Sequence, residues 1–84
     1  MNISREEQRV LHVLAQGGCI RHHRDGRRIV AVDCLDRDGN RFVDCDLPTF
    51  ERLRRRRLIA SKGGAPYVVS EFGRRAVRSQ PDNR

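Results

Sequence analysis

The stretch FERLRRRRLIASKGGAPYVVSEFGRRAV, residues 50–77, decides the fold because it carries the signals of four consecutive elements. Leu47, Phe50 and Leu53 repeat every three residues, which predicts the buried side of a helix. Arg57 would fall on that same side, four residues after Leu53. The helix is therefore expected to end near Arg57.

Both ends of this segment carry boundary signals. Asp46 can cap the helix, and Pro48 is tolerated in the first turn, where no amide is needed. Downstream, LIAS and PYVV predict two short strands joined by the glycine turn KGGA. Ser70 then predicts the cap of a last helix with three inward-facing apolar residues. These are Phe72, Ala76 and Val77.

Upstream of this segment, residues 4–16 predict a helix with both ends marked. Ser4 and Glu7 have the spacing of a capping box, and Gly17 with Gly18 would stop the helix. Four apolar residues recur at helical spacing and predict its buried side. These are Val10, Leu11, Leu14 and Ala15.

The middle of the chain predicts three antiparallel strands, near 19–24, 28–36 and 40–45. Two Asp-Gly pairs, Asp25-Gly26 and Asp38-Gly39, separate them and suit two-residue hairpin loops. That register would place Asp33 opposite Asp44, which is unfavourable unless an arginine lies nearby. The face expected to meet the core carries Cys19, Val30, Val32, Cys34, Val43 and Cys45. The opposite face carries Ile20, Ala31, Asp33, Leu35, Phe42 and Asp44.

These elements predict a small α+β domain over residues 1–79 and a polar tail over 80–84. The order is helix, three strands, helix, two strands, helix. The second half resembles the end of a winged-helix domain, with a recognition helix followed by a wing hairpin. A winged helix-turn-helix has another helix directly before its recognition helix, whereas a β-meander stands here. The resemblance therefore supports the local architecture more than DNA reading. It rests on Phe50, Leu53, Leu58, Ile59, Tyr67, Val69, Ser70 and Gly73.

The composition points to a charged partner. The 84 residues have a net charge of +7, and all basic residues except Lys62 and the histidines are arginines. Such a surface attracts polyanions or an acidic protein face, and arginine favours bidentate contacts. A GC-rich genome would explain the excess of arginine over lysine equally well. The chain has no apolar run of ~20 residues and no signal core, so we expect a cytoplasmic protein without a membrane partner.

We expect one basic face to form the partner-binding site. Its candidate residues are Arg52, Arg54, Arg55, Arg56, Arg57, Lys62, Arg74, Arg75 and Arg78. The partner would be an acidic protein or nucleic acid, and the alternative is a solvated helix end. Tyr67 is the one plausible base-stacking residue, which weakens single-strand binding. Reversing the charges of Arg54, Arg55 and Arg56 together should abolish partner binding and leave the fold intact.

Catalytic and metal chemistry is weakly signalled. No Cys-x-x-Cys or His-x(3–5)-His spacing supports a zinc site, so neither a metal nor a cofactor is expected. Three cysteines fit reduced, buried thiols better than disulfides. No phosphate loop, catalytic triad or dense carboxylate cluster appears, and we expect a non-enzyme. The residues weighed for zinc are Cys19, His22, His23, Cys34 and Cys45.

Three separated blocks, MNISREEQRVLHVLAQGG, LIASKGGAPY and VRSQPDNR, together resemble the YjhX-type family of small basic bacterial proteins. The resemblance runs from Met1 to Arg84. It implies a toxin of a toxin–antitoxin system that binds and inhibits bacterial DNA topoisomerase I, with a cognate antitoxin as a further partner. The alternative is a winged-helix-like protein that binds DNA or RNA, or a regulator. The family offers no motif that assigns inhibition to individual residues.

Overall fold

A computed structural model describes residues 2–43 and 45–78. The order of elements is the predicted one, and the α+β fold class is confirmed. The elements are α1 (Arg5–Ala15), β1 (Cys19–Asp25), β2 (Arg28–Leu35), β3 (Arg41–Phe42), α2 (Leu47–Arg55), β4 (Ile59–Ala60), β5 (Val68–Val69) and α3 (Glu71–Arg78). The predicted tail, residues 80–84, lies outside the described residues.

Within the described residues, two antiparallel sheets are joined at one pair of residues. One sheet has the order β1-β2-β3, and the other pairs β4 with β5. Ile20 and Tyr67 exchange two backbone hydrogen bonds, each of 2.8 Å, and so connect β1 to the segment that leads into β5. All three helices contribute to one hydrophobic core, which includes Leu11, Phe50 and Val77.

The capping signals of the first two helices are confirmed. The Ser4 hydroxyl accepts from the amide of Glu7 (3.1 Å), and the Glu7 carboxylate accepts from the amide of Ser4 (2.9 Å). Asp46 accepts from the amide of Thr49 (3.0 Å) at the start of α2, with a proline in the first turn. These hydrogen bonds satisfy amides that a helix start leaves without partners.

The predicted register of the first hairpin is wrong, for two physical reasons. Its loop is Gly26–Arg27 rather than Asp25-Gly26, because Asp25 pairs with Arg28. Gly26 has a φ of 65° whereas Arg27 does not have a positive φ, as in a turn that needs glycine at its first central position. A β-bulge between His23 and Arg24 then shifts the pairing by one further residue.

The bulge reverses the sides on which Ile29 and Val30 of β2 lie. His23 pairs with Ala31 and Arg24 pairs with Ile29, so Val30 is the extra residue. Ile29 is consequently buried and Val30 is 48% exposed, the reverse of the prediction for Val30. Ile20 pairs with Cys34 and faces the core, whereas the expected core residue Cys19 is only partly buried.

The second loop is also longer than predicted. It spans residues 36–40, and Asp36 Oδ1 accepts from the amides of Asp38 (2.9 Å) and Asn40 (2.8 Å). This side-chain turn replaces the expected two-residue hairpin. Phe42 therefore pairs with Cys34 and packs against the core, while Val43 is 87% exposed. Asp44, expected opposite Asp33, lies outside the described residues.

The last helix differs from its prediction at one position. Ala76 and Val77 are buried as expected, but Phe72 is 42% exposed. Gly73 takes the inward position in the first turn, and neighbouring helical residues are rotated by about 100° from each other. The core therefore contacts the backbone of Gly73 rather than the aromatic ring before it.

Within residues 2–43 and 45–78, no helix has both the length and the apolar character needed to cross a bilayer.

Candidate interaction surface

An abrupt change of backbone direction divides the arginine run after α2. The helix ends at Arg55, and Arg57 has a φ of 62°. A left-handed residue reverses the chain as a glycine terminator would, at a steric cost for any residue with a Cβ. The amide of Arg57 donates to the carbonyl oxygen of Arg54 (3.0 Å), and the amide of Leu58 donates to the carbonyl oxygen of Leu53 (3.0 Å). Leu58 thereby enters the core.

Arg56 has a structural role at the start of α1. Its Nη1 donates to the carbonyl oxygen of Asn2 at 2.7 Å and lies 3.5 Å from Glu7 Oε1. Glu7 is 2% exposed, and its Oε2 has no hydrogen-bond partner within the described ranges. A buried carboxylate needs a compensating charge, so Arg56 is engaged within the fold.

Arg52 and Arg54 are partly engaged by their own helix. Arg52 Nη2 donates to the Thr49 hydroxyl at 3.3 Å. Arg54 Nε lies 3.6 Å from a Glu51 carboxylate oxygen, and its guanidinium is 5.9 Å from the centre of the Phe50 ring. Exposed contacts of this kind are worth less than about 1 kcal/mol, so a partner could replace them.

Arg55 and Arg57 are the free arginines of the run. Both are exposed, and neither guanidinium has a hydrogen-bond or ion-pair partner among residues 2–43 and 45–78. The five predicted site residues of this run therefore divide into one internal arginine, two partly engaged arginines and two free arginines.

A compact contact, here called the α2–α3 junction, fixes the free arginines of the run relative to the last helix. The junction comprises residues 56–58 with Ser70 and Gly73. The Ser70 hydroxyl donates to the carbonyl oxygen of Arg57 (2.7 Å) and accepts from the amide of Gly73 (2.9 Å). The amide of Ser70 donates to the carbonyl oxygen of Leu58 (3.0 Å). The two basic segments thus share one rigid frame.

The predicted site residues on α3 all lie opposite its core side. Gly73, Ala76 and Val77 are buried, and the arginines occupy the exposed part of the helix surface. These arginines are Arg74, Arg75 and Arg78. None of them has a side-chain partner in the part of the chain that the structure describes.

Lys62 lies in the turn between β4 and β5. It is exposed, and its carbonyl oxygen accepts from the amide of Ala65 (3.1 Å). Gly63 and Gly64 both have positive φ, which explains why the turn contains two glycines. The charge of Lys62 is therefore held on an ordered turn.

The structure also reveals a charged cluster that the sequence prediction missed. Asp33 on β2 accepts a hydrogen bond from His23 Nε2 (2.8 Å) and lies 3.3 Å from Arg41 Nη2. Arg21 is its partner across the hairpin. The hydrogen bond from His23 lowers the pKa of Asp33, and the charges of Arg41 and Arg21 act in the same direction. One feature of the sequence pointed toward this cluster: the expected register of Asp33 required an arginine near its carboxylate.

Two of the three cysteines are buried, and they do not share one face with the third as predicted. Cys34 faces the core beside Cys45, whereas Cys19 pairs with Leu35 on the other side of β1. A hydrogen bond with Cys45, together with burial, raises the pKa of the Cys34 thiol. His23 also lies on the face opposite Cys34. Within the described residues, no group of three or more His, Cys, Asp or Glu side chains could hold a metal ion.

Comparison with known proteins identifies the same family that the three sequence blocks resemble. Over residues 1–84 the chain matches the YjhX toxin family, described as "Putative toxin of bacterial toxin-antitoxin pair". The chain belongs to this family. The predicted family resemblance is thereby confirmed.

The chain also resembles several curated bacterial proteins over its full length. It is 61% identical to a UPF0386 protein of Beijerinckia indica, with both chains fully covered. It is 56% identical to one of Rhodospirillum centenum, covering all of this chain and 99% of that protein. A third, from Caulobacter vibrioides, is 51% identical, with 93% of its length covered. No solved structure gave a significant match, so the winged-helix resemblance stays a prediction.

Proposed function

We propose that this member of the YjhX toxin family is a toxin that binds bacterial DNA topoisomerase I and inhibits it stoichiometrically. Membership over residues 1–84 supports the toxin class. The resemblance of the three sequence blocks suggests the target enzyme. A cognate antitoxin would be the second partner and would cover the same surface or one coupled to it.

The observation that carries this proposal is the α2–α3 junction. It holds the free arginines Arg55 and Arg57 on the same frame as the exposed arginines of α3. Guanidinium groups on a rigid frame lose less conformational freedom on binding and can form bidentate contacts with carboxylates. An acidic surface of the topoisomerase is the partner that such a frame would suit. Arg56 is left out of the contact set because it compensates Glu7.

The proposed mechanism is non-catalytic. A buried thiol with a raised pKa is a poor nucleophile, which describes Cys34. His23 is hydrogen bonded to Asp33 on the opposite face of the sheet and is not placed to activate that thiol. Inhibition by occupancy needs no reactive group, so it is consistent with both features.

The alternative function is nucleic-acid binding by the same basic surface, and a relaxation assay distinguishes the two. Topoisomerase I relaxes supercoiled plasmid while the protein is titrated, once with DNA in excess and once with enzyme in excess. We expect the amount of protein needed for half inhibition to follow the amount of enzyme. Relief of inhibition by added plasmid would contradict the proposal and favour the alternative.

A pair of matched variants locates the inhibitory surface. Arg55→Glu with Arg57→Asp reverses the two free charges of the arginine run, in and directly before the junction, and Asp is among the side chains that tolerate the left-handed position. Arg27→Glu with Arg28→Glu makes the same charge change on the first hairpin. We expect the first variant to weaken inhibition at least about tenfold, which equals ~1.4 kcal/mol, and the second to inhibit normally. Equal loss in both variants would mean that overall charge, not this surface, drives inhibition.

A further inference from the structure

The first hairpin ends in a two-stranded basic ribbon that the predicted site did not include. Among the described residues, β1 is joined to the other sheet only at Ile20, and β2 pairs with β3 only at Cys34 and Leu35. Residues 21–31 pair only with strands of their own hairpin and are here called the arm. All of the arm is exposed apart from a half-buried histidine and one isoleucine. These are His22 and Ile29.

The arm carries a concentrated positive charge. Four arginines stand against the single carboxylate of Asp25, which gives the eleven residues of the arm a net charge of +3. Arg24 Nη1 donates to the carbonyl oxygen of Arg27 (3.3 Å), which braces the turn. The side chains of Arg27 and Arg28 have no hydrogen-bond or ion-pair partner in residues 2–43 and 45–78.

The arginines project from more than one side of the ribbon. Arg21 lies on the same face as Asp33, and Arg28 pairs with Asp25 on that face. Arg24 lies on the other face, beside Ile29, and Arg27 occupies the tip. A flat acidic protein surface could contact one face only. A ribbon with cations on both faces and at its tip suits a groove with anionic walls on each side.

The open edges of the arm argue against the addition of another strand. The bulge at Val30 interrupts the edge of β2, and charged side chains line both strands. Bulges and edge charges are the devices that prevent strand addition in natural sheets. The two imidazole rings of the arm are already engaged, because His22 packs edge-on against Tyr67 at 5.2 Å and His23 is hydrogen bonded to Asp33. Duplex is therefore favoured over single-stranded nucleic acid.

We propose that the arm binds duplex DNA by entering a groove, with its arginines contacting phosphates of both strands. Paired strands lie about 4.8 Å apart, and a major groove about 12 Å wide admits a two-stranded ribbon. Such contacts give affinity without sequence specificity. DNA binding by the arm does not depend on topoisomerase inhibition.

The test uses the full chain and a labelled duplex of about 20 base pairs, with fluorescence anisotropy between about 50 and 200 mM salt. Arg27→Glu with Arg28→Glu should reduce the salt slope by about 2 and weaken binding at least about tenfold. The junction variant, Arg55→Glu with Arg57→Asp, has the same net charge and should bind DNA nearly as the natural protein does. Equal weakening in both variants, or no binding of the natural protein at about 50 mM salt, would overturn the proposal.

Two further measurements keep the test independent of folding defects. Asp25→Asn removes the carboxylate of the arm and should tighten DNA binding about two- to threefold, a gain that unfolding cannot produce. Competition with poly-glutamate at equal charge should displace the duplex much less effectively than unlabelled duplex does. Equal displacement would show a general polyanion site and refute groove binding. Because DNA bound by the arm would itself draw the natural protein away from the enzyme, the deciding relaxation assay is the one with the Arg27→Glu and Arg28→Glu variant. Inhibition by that variant should follow the amount of enzyme and resist added plasmid, so either proposal can fail without the other.

Discussion

The two basic regions of this protein differ in how far the fold uses their arginines. At the α2–α3 junction, the Arg56 side chain compensates the charge of buried Glu7, and the carbonyl oxygen of Arg57 accepts a hydrogen bond from the Ser70 hydroxyl. In the arm, Arg27 and Arg28 are exposed, and their side chains form no hydrogen bond or ion pair with the described residues. Arginines of equal charge in sequence therefore have unequal availability. Substitutions in each region should therefore separate effects on the free energy of unfolding from effects on binding.

The largest effect is expected from closing the space at Gly73. An added Cβ would overlap the carbonyl oxygen of Leu58 and lie 2.9 Å from a Val69 methyl group. Because the obstacle is backbone, Gly73→Ala should destabilise the protein by about 3 kcal/mol or more. Urea unfolding followed by circular dichroism measures this. Gly63→Asn is the control, since its site is open and Asn tolerates positive φ. A loss at Gly73 no greater than at Gly63 would contradict the close contact.

Adjacent arginines at the end of α2 should respond differently to the same substitution. Arg56→Ala removes the partner of a buried carboxylate and should cost about 2 to 3 kcal/mol, less than for a fully buried pair because Arg56 is partly exposed. Arg55→Ala should change stability by less than about 0.5 kcal/mol. Thermal or urea unfolding of both variants provides the comparison.

A double-mutant cycle tests the cause of the Arg56 effect. Glu7→Gln keeps a side-chain acceptor for the capping box but removes the buried charge. In that background, Arg56→Ala should be milder by at least about 1 kcal/mol. An unchanged cost would assign the effect to the contact with Asn2 instead. The earlier design that reversed Arg54, Arg55 and Arg56 together is accordingly expected to unfold the protein.

The arm should show a contrast between neighbouring residues that reports the bulge. Ile29→Ala removes a buried side chain and should cost about 2 kcal/mol. Val30→Ala should cost less than about 0.5 kcal/mol, because Val30 is largely exposed. The predicted regular register would reverse this order. Unfolding midpoints of the two variants therefore decide between the two registers.

The smallest expected effect concerns the pH dependence of the cluster around Asp33. The folded pKa lies below the ordinary value of 3.8, chiefly because His23 donates a hydrogen bond to the carboxylate. A lowered folded pKa stabilises the protein above the unfolded pKa, and this stabilisation is lost as the pH falls through the folded value. Asp33→Asn should therefore flatten the decline of the unfolding midpoint below about pH 4. Identical acid profiles for both proteins would show that the cluster adds no stability.

Local signals predicted the elements well because each depends on neighbouring residues only. Ser4 with Glu7, Asp46, and Ser70 cap their helices as expected, since a cap needs only a side chain within reach of the first amides. Gly17 follows the C-cap residue of α1 and has a φ of 109°, as a helix terminator requires. Element order and fold class followed from these boundaries.

The side chains that each strand or helix turns toward the core were predicted less well, because burial depends on contacts between distant segments. One unpredicted bulge exchanged Ile29 for Val30, and one side-chain turn from Asp36 extended the second loop. Gly73, and not Phe72, faces the core at the start of α3. The carbonyl oxygen of Leu58 lies so close to Gly73 that no side chain fits there. Hydrophobicity alone could not reveal any of these events.

The sequence by itself determined the order of the helices and strands, the caps at the helix starts, the net charge of +7 and the family. Caps, glycines and apolar spacing act over a few residues, so they can be read without a partner segment. Only the tertiary structure decided which arginines are available. The burial of Glu7 beside Arg56 brings together two segments that are distant in sequence. A buried charge must be compensated wherever the fold brings its partner, and that partner lies far away in sequence.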